Sequence, residues 1–178
     1  GRFRPRQPLS SHGWRGLPGR LMRNNPVLVI GYGNPSRGDD ALGPLLLEGL
    51  EALRTRDRDL DCFDTLTDFQ LQVEHAMDMH GYRQVIFVDA AVNLDRPFRF
   101  ELLHAARDDS YTTHALNPAA VLAVYEGFYE IPAPESSLLS IRGERFDLRE
   151  DLSETARQSL DEAIGFLAAH LMQSISPV

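Results

Sequence analysis

The stretch VLVIGYGNPSRGDDALG, residues 27–43, joins a continuous apolar run to a glycine turn and then to two adjacent acids. Four apolar residues without alternation, Val27 to Ile30, predict a strand buried on both faces, as in parallel sheets. Gly31 and Gly33 predict a tight turn. Beyond it Leu42, Leu45, Leu46, Leu50 and Leu53 recur at helical spacing and predict a helix over about residues 40–54. A strand, a glycine turn and a helix start ordinarily cradle an anion, because the helix dipole and its free N–H groups favour negative charge. Here Asp39 and Asp40 supply that charge from the chain itself. They can cap the helix, and the surplus suits a cation. Asp39 reads as the capping residue and Asp40 as the ligand.

Outward from this stretch, residues 60–65 predict a second strand with Asp64 at its end, and residues 71–80 a helix closed by Gly81. The run QVIFVD, residues 84–89, predicts a third strand ending in Asp89. Residues 98–104 alternate like an edge strand. Asn117 and Pro118 are a natural N-cap and first helical residue for a helix over 117–128. A strand over 137–142 and a helix over 153–172 follow. This order predicts an α/β fold: a single-domain mixed, mostly parallel twisted sheet of about five strands with helices on both faces. Sites in such sheets form beyond the carboxyl ends of the strands, where connections diverge. The loops after Ile30, Phe63 and Val88 would then bring Asp40, Asp64 and Asp89 to one rim. An Asp at the end of an apolar strand such as 84–89 reads as a ligand or an acid.

The 178 residues suit one domain, 43% hydrophobic and 25% charged. No apolar run approaches the roughly 20 residues that span a bilayer. The net charge of −8 argues against nucleic acid as the partner and is unevenly placed. Residues 1–25 hold six arginines and no acid, and from residue 26 the remaining 12 arginines face 26 acids. Residues 1–25 read as a flexible Arg-rich arm broken by Pro and Gly, and residues 26–178 as the folded domain. The single cysteine, Cys62, lies in an apolar pattern and reads as a small buried hydrophobe; a cytoplasmic location fits.

A nucleotide-binding reading competes. Gly31, Gly33 and Asp64 match two glycines and the ribose-binding acid of a dinucleotide fingerprint, although Ser36 occupies the third glycine position. The acid pair counts against it. Among the histidines, His75 and His80 lie five apart, out of step for joint ligation, and read as a solvated face. His12 falls in the arm, and His104 and His170 have no evident partner. His114, in SYTTHALNP, precedes the helix that Asn117 opens. No nucleophile stands out.

Over about residues 27–168 the chain resembles the NiFe-hydrogenase maturation endopeptidases, which trim the C-terminus of a hydrogenase large subunit. VLVIGYGNPSRGDDALGP looks like the family's opening strand, G-x-G-N loop and acid pair, VIFVDA like its strand ending in Asp, and THALNP like the segment bearing its histidine. The resemblance implies Asp40, Asp89 and His114 as metal ligands, with Asp40 and Asp89 as catalytic candidates. Asp40 stands where the family often has Glu. It also implies recognition of substrate around Gly31, Gly33, Asn34 and Asp64. The family's Asp-Gly-Gly-Thr turn is replaced here by Asp64-Thr65-Leu66-Thr67, and DFQLQVEHA looks like a subgroup serving cytoplasmic, cofactor-reducing hydrogenases. The implied partner is a large-subunit precursor, and the implied metal is nickel supplied by that precursor rather than permanently bound. Two carboxylates and an imidazole suit a divalent first-row ion. Hydrolysis is open between metal polarisation of the carbonyl, metal activation of water, and a carboxylate general base.

Overall fold

The computed structural model describes residues 25–106 and 116–174. His114, most of the Arg-rich arm and the last four residues lie outside the described residues. Five strands, β1 (Val27–Tyr32), β2 (Phe63–Asp68), β3 (Gln84–Ala91), β4 (Phe98–Leu103) and β5 (Glu135–Arg142), form one sheet in the order β2-β1-β3-β5-β4. The first four in that order run parallel, and β4 closes the edge antiparallel to β5. The mixed, mostly parallel five-stranded sheet is therefore as expected.

Helices α1 (Leu42–Arg54) and α4 (Glu154–Ser174) pack on one face, and α2 (His75–Asp78) and α3 (Pro118–Tyr129) on the other. On α1, Leu42, Leu46, Leu47 and Leu50 are buried together against Val27, Val29, Ile86 and Val88. On the other face Val121, Leu122 and Tyr125 meet Leu28, Ile30, Val85 and Phe87. Every second residue of β1 and β3 thus enters one core and its neighbours the other, which is why both strands read as unbroken apolar runs. The Asn117 side chain accepts from the Ala120 N–H at 2.8 Å, and Pro118 opens α3. No helix among the described residues is long and apolar enough to cross a membrane.

Two elements differ from expectation. The second strand begins at Phe63 rather than about residue 60. Leu60 and Cys62 are buried, but from a 3-10 turn started by Asp57, whose carboxylate accepts from the Asp59 N–H. The helix expected over 71–80 contracts to His75–Asp78. Leu71 is buried ahead of it, and the Gln72 N–H donates to Nδ1 of His75 at 2.8 Å, so a side chain replaces the turn of helix. Cys62 is a buried free thiol, as expected, and burial pushes its pKa up.

A candidate active site where the strand order reverses

From β1 the chain goes out to β2 and then returns across β1 to β3. The connections therefore diverge between β1 and β3, and the crevice at their carboxyl ends is the natural place for a site. Asp40 enters it from the β1–α1 loop and Asp89 from β3. The close approach depends on Gly43, which the sequence reading passed over. A Cβ there would lie 2.5 Å from the Tyr32 carbonyl oxygen and 2.7 Å from that of Val88. Only glycine lets the start of α1 press onto both strand ends, with Asp40 three residues ahead.

The loop is built around Asp40. Its Oδ2 accepts from the Asn34 N–H at 2.8 Å, and the Asn34 side chain accepts from the Ser36 N–H at 2.9 Å. Gly33 has φ +142°, and a Cβ on it would sit 1.9 Å from the Asp40 carbonyl oxygen. A Cβ on Gly31 would lie 2.6 Å from the Gly43 carbonyl oxygen. The structure thus gives Gly31, Gly33 and Asn34 a shared task, shaping the turn that holds Asp40. It also counts against the nucleotide reading, because the Asn34 N–H of this turn is already taken by an internal carboxylate.

Asp39 does not cap its own helix. It is fully buried, and its carboxylate accepts from the N–H groups of Glu144 (2.7 Å), Arg145 (2.9 Å) and Ser153 (2.7 Å) and from the Ser153 hydroxyl (2.7 Å). Burial pushes its pKa up, but these four donors prevail and hold it below the ordinary carboxylate value. The pair of acids therefore divides: Asp39 fastens the β5–α4 loop to the rim, and Asp40 is left to the crevice.

Asp89 is half-buried. Burial raises its pKa to about 6; hydrogen bonds from the Tyr32 hydroxyl and the Ala90 N–H oppose the rise, and the charge of Asp40 adds to it. Tyr32 is the last residue of β1, one rung beyond the Gly31–Val88 pair, so its side chain and that of Asp89 leave neighbouring strands on the same side. Burial and the Asp89 charge hold the Tyr32 phenol far above its usual range, so it stays a hydrogen-bond donor. Tyr32 carried no signal in the sequence beyond its place between two glycines.

Among the described residues neither Asp40 nor Asp89 has an ion-pair partner, and no set of three His, Cys, Asp or Glu side chains converges. The described site is two carboxylates in one crevice, an oxygen-donor pair that a divalent cation would neutralise and that leaves positions for further ligands.

The strand-end acid of β2 is Asp68, not Asp64. Because the strand starts three residues late, Asp64 pairs with Leu28 near the opposite end of the sheet, where it accepts from Asn25 Nδ2 (2.7 Å) and the Tyr82 hydroxyl (2.6 Å). Asp68 pairs with Tyr32, its carbonyl accepts from the Gly33 N–H (3.1 Å), and its Oδ2 lies 3.3 Å from Nε2 of His75. His75 is accordingly buried, not part of a solvated face. His80 is exposed but stacks on Tyr129 with ring centroids 4.2 Å apart, and its Nδ1 lies 3.1 Å from the Tyr125 hydroxyl.

No protein-family model and no curated protein matches the chain. Solved structures do. The hydrogenase maturating endopeptidase HybD of E. coli is similar at 22% identity and TM-score 0.62, over 84% of this chain and 93% of that one. The NiFe hydrogenase maturation protease HycI of Thermococcus kodakarensis is similar at 20% identity and TM-score 0.59, over 83% and 92%. A hydrogenase 2 maturation peptidase of Thaumarchaeota archaeon SCGC_AB-539-E09 follows at 22% identity and TM-score 0.57, over 82% and 97%. The chain shares the fold of these proteins across nearly their whole length.

Proposed function

We propose that the chain is an endopeptidase that removes the C-terminal extension of a nickel-loaded NiFe-hydrogenase large-subunit precursor in the cytoplasm. The observation that carries this reading is that Asp40 lies close enough for its charge to act on Asp89 at the crevice between β1 and β3, two carboxylates without an ion-pair partner among the described residues, in a fold shared with hydrogenase maturation proteases. Nickel arrives with the substrate. Asp40, Asp89 and His114 supply ligands, and the precursor completes the set.

Substrate selection follows from charge. A nickel-free precursor meets two unneutralised carboxylates, whereas a loaded one brings the cation that relieves them, so only the loaded form docks productively. In the cut, water adds to the scissile carbonyl, the C–N bond breaks and a proton passes to the leaving amine. A crevice carboxylate, Asp40 or Asp89, takes the proton of that water as general base.

Mixing the purified chain with nickel-loaded and nickel-free precursor, and following precursor mass, tests the proposal. Loss of a C-terminal fragment from the loaded form alone is expected, and Asp89→Ala abolishes it without unfolding the chain. Cleavage that proceeds equally with nickel-free precursor, or with Asp89→Ala, would sink it.

A further inference from the structure

We propose that β4 is a self-association edge: two copies of this chain join antiparallel along it, about a two-fold axis at Phe100, into one continuous sheet. The proposal stands apart from the reading of the crevice. β4 is the terminal strand of the sheet, and among the described residues no strand pairs with its outer side. The Arg142 N–H donates to the Pro97 carbonyl at 2.9 Å, in register with the Phe98–Ile141 pairing. Antiparallel strands exchange hydrogen bonds at alternate residues. Pro97, Arg99, Glu101 and Leu103 therefore turn their backbone groups towards β5, and Phe98, Phe100 and Leu102 turn theirs outward.

An antiparallel copy centred on Phe100 meets those outward groups one for one. Phe100 exchanges both bonds with Phe100 of the second copy, and Phe98 exchanges both with Leu102 of the second copy. The residues between fall in the closer, non-hydrogen-bonded pairs, and there Arg99 faces Glu101 of the second copy, twice by symmetry. An axis at Arg99 or at Glu101 would instead set like charges face to face. Within one chain Arg99 and Glu101 form an exposed ion pair at 2.9 Å; such a pair is worth little alone, so exchanging it across copies costs little. On the other face of β4, Phe98 and Phe100 are held against Phe166 of α4, with ring centroids 4.8 and 5.2 Å apart. Leu102 follows them on that face and is 59% exposed. Pairing sets it beside Phe98 of the second copy. Edge strands usually guard against such pairing with lysine, proline, a bulge or an inward charge. The chain has no lysine, β4 pairs with β5 without a break, and the missing N–H of Pro97 falls on the β5 side. Because β5 separates β4 from β3, the association leaves the crevice open.

Sedimentation velocity on the full chain over a concentration series tests this. Wild type should pass from monomer to dimer as concentration rises. Arg99→Glu and Glu101→Arg each set like charges opposite one another, and each should weaken dimerisation by about 10- to 100-fold. Mixed in equal amounts, the two variants are complementary again and should form the dimer that neither forms alone, which a contact within one chain cannot explain. Leu102→Pro removes an outward N–H from an exposed residue and should give monomers that melt like dilute wild type. Should Leu102→Pro fold poorly, the mixing experiment decides alone. Wild type that stays monomeric up to about 1 mM overturns the proposal. So does a dimer untouched by Leu102→Pro and by both charge reversals, or a mixture no more dimeric than its components. If monomeric wild type captures the hydrogenase precursor and Leu102→Pro does not, the edge serves that partner and not a second copy.

Discussion

Asp39 and Asp40 are adjacent and chemically identical, and burial gives them opposite work. Asp39 is surrounded by four donors that converge on its carboxylate, so Asp39→Ala leaves three N–H groups and a hydroxyl without their acceptor. At about 1–3 kcal/mol for each buried orphan, partly recovered by water entry, a loss of at least ~3 kcal/mol in urea unfolding is expected; a loss under ~1 kcal/mol would contradict the clamp. Its depressed pKa gives the linkage sign: Asp39 contributes stability above its unfolded pKa and loses it as pH falls through the folded one. Asp89 has the reverse sign. Its folded pKa of about 6 exceeds the ordinary value of 3.8, so the folded chain binds the extra proton in that window and stability falls as pH rises through it. Asp89→Asn should therefore stabilise the metal-free chain at about pH 7.5, by at most roughly 2–3 kcal/mol, and the gain should vanish below about pH 4. Melting curves at both pH values check this, and an unchanged or lowered stability at the higher pH would count against the buried, repelled carboxylate described above.

At the scale of elements, the β1–α1 loop works because two glycines admit what no side chain could. Gly33→Ala would place a Cβ 1.9 Å from the Asp40 carbonyl oxygen at φ +142°, a conformation that L residues rarely adopt. A loss of about 2 kcal/mol or more is expected, with displacement of the Asp40 carboxylate; a Gly33→Ala chain of wild-type stability and activity would refute the tight turn. This loop, β1, β3, α3 and β5 were legible because their signals are local: unbroken apolar runs, a glycine pair, an Asn-Pro start. The placement of β2 was not. Leu60 and Cys62 alternate like strand residues, but they are buried from a turn, and hydrophobic periodicity cannot distinguish those cases. That three-residue shift carried Asp64 to the wrong end of the sheet and hid Asp68 and its contact with His75. Gly43 and Tyr32 were illegible for another reason: their importance lies in contacts with strands distant in sequence, which no local pattern records.

The whole molecule places a negative crevice at the point where an open sheet reverses its strand order, within a domain whose residues from 26 onward already carry 26 acids against 12 arginines. Such a site costs stability when empty and returns it when a cation arrives, so metal and proton should compete for it. Ni2+ at about 100 times its dissociation constant adds roughly 2.7 kcal/mol to a folded state that alone binds it. For a domain of this size that is a rise of roughly 5–10 °C in melting temperature. The rise should be full at about pH 7.5, where Asp89 has given up its proton, and should shrink towards about pH 5, where the ion must displace one from a carboxyl with a pKa of about 6. Melting scans with and without Ni2+ at the two pH values measure it directly. An equal rise at both, or the same rise in Asp89→Asn, would mean that the ion binds elsewhere on this acidic surface and that the crevice between β1 and β3 is not its site.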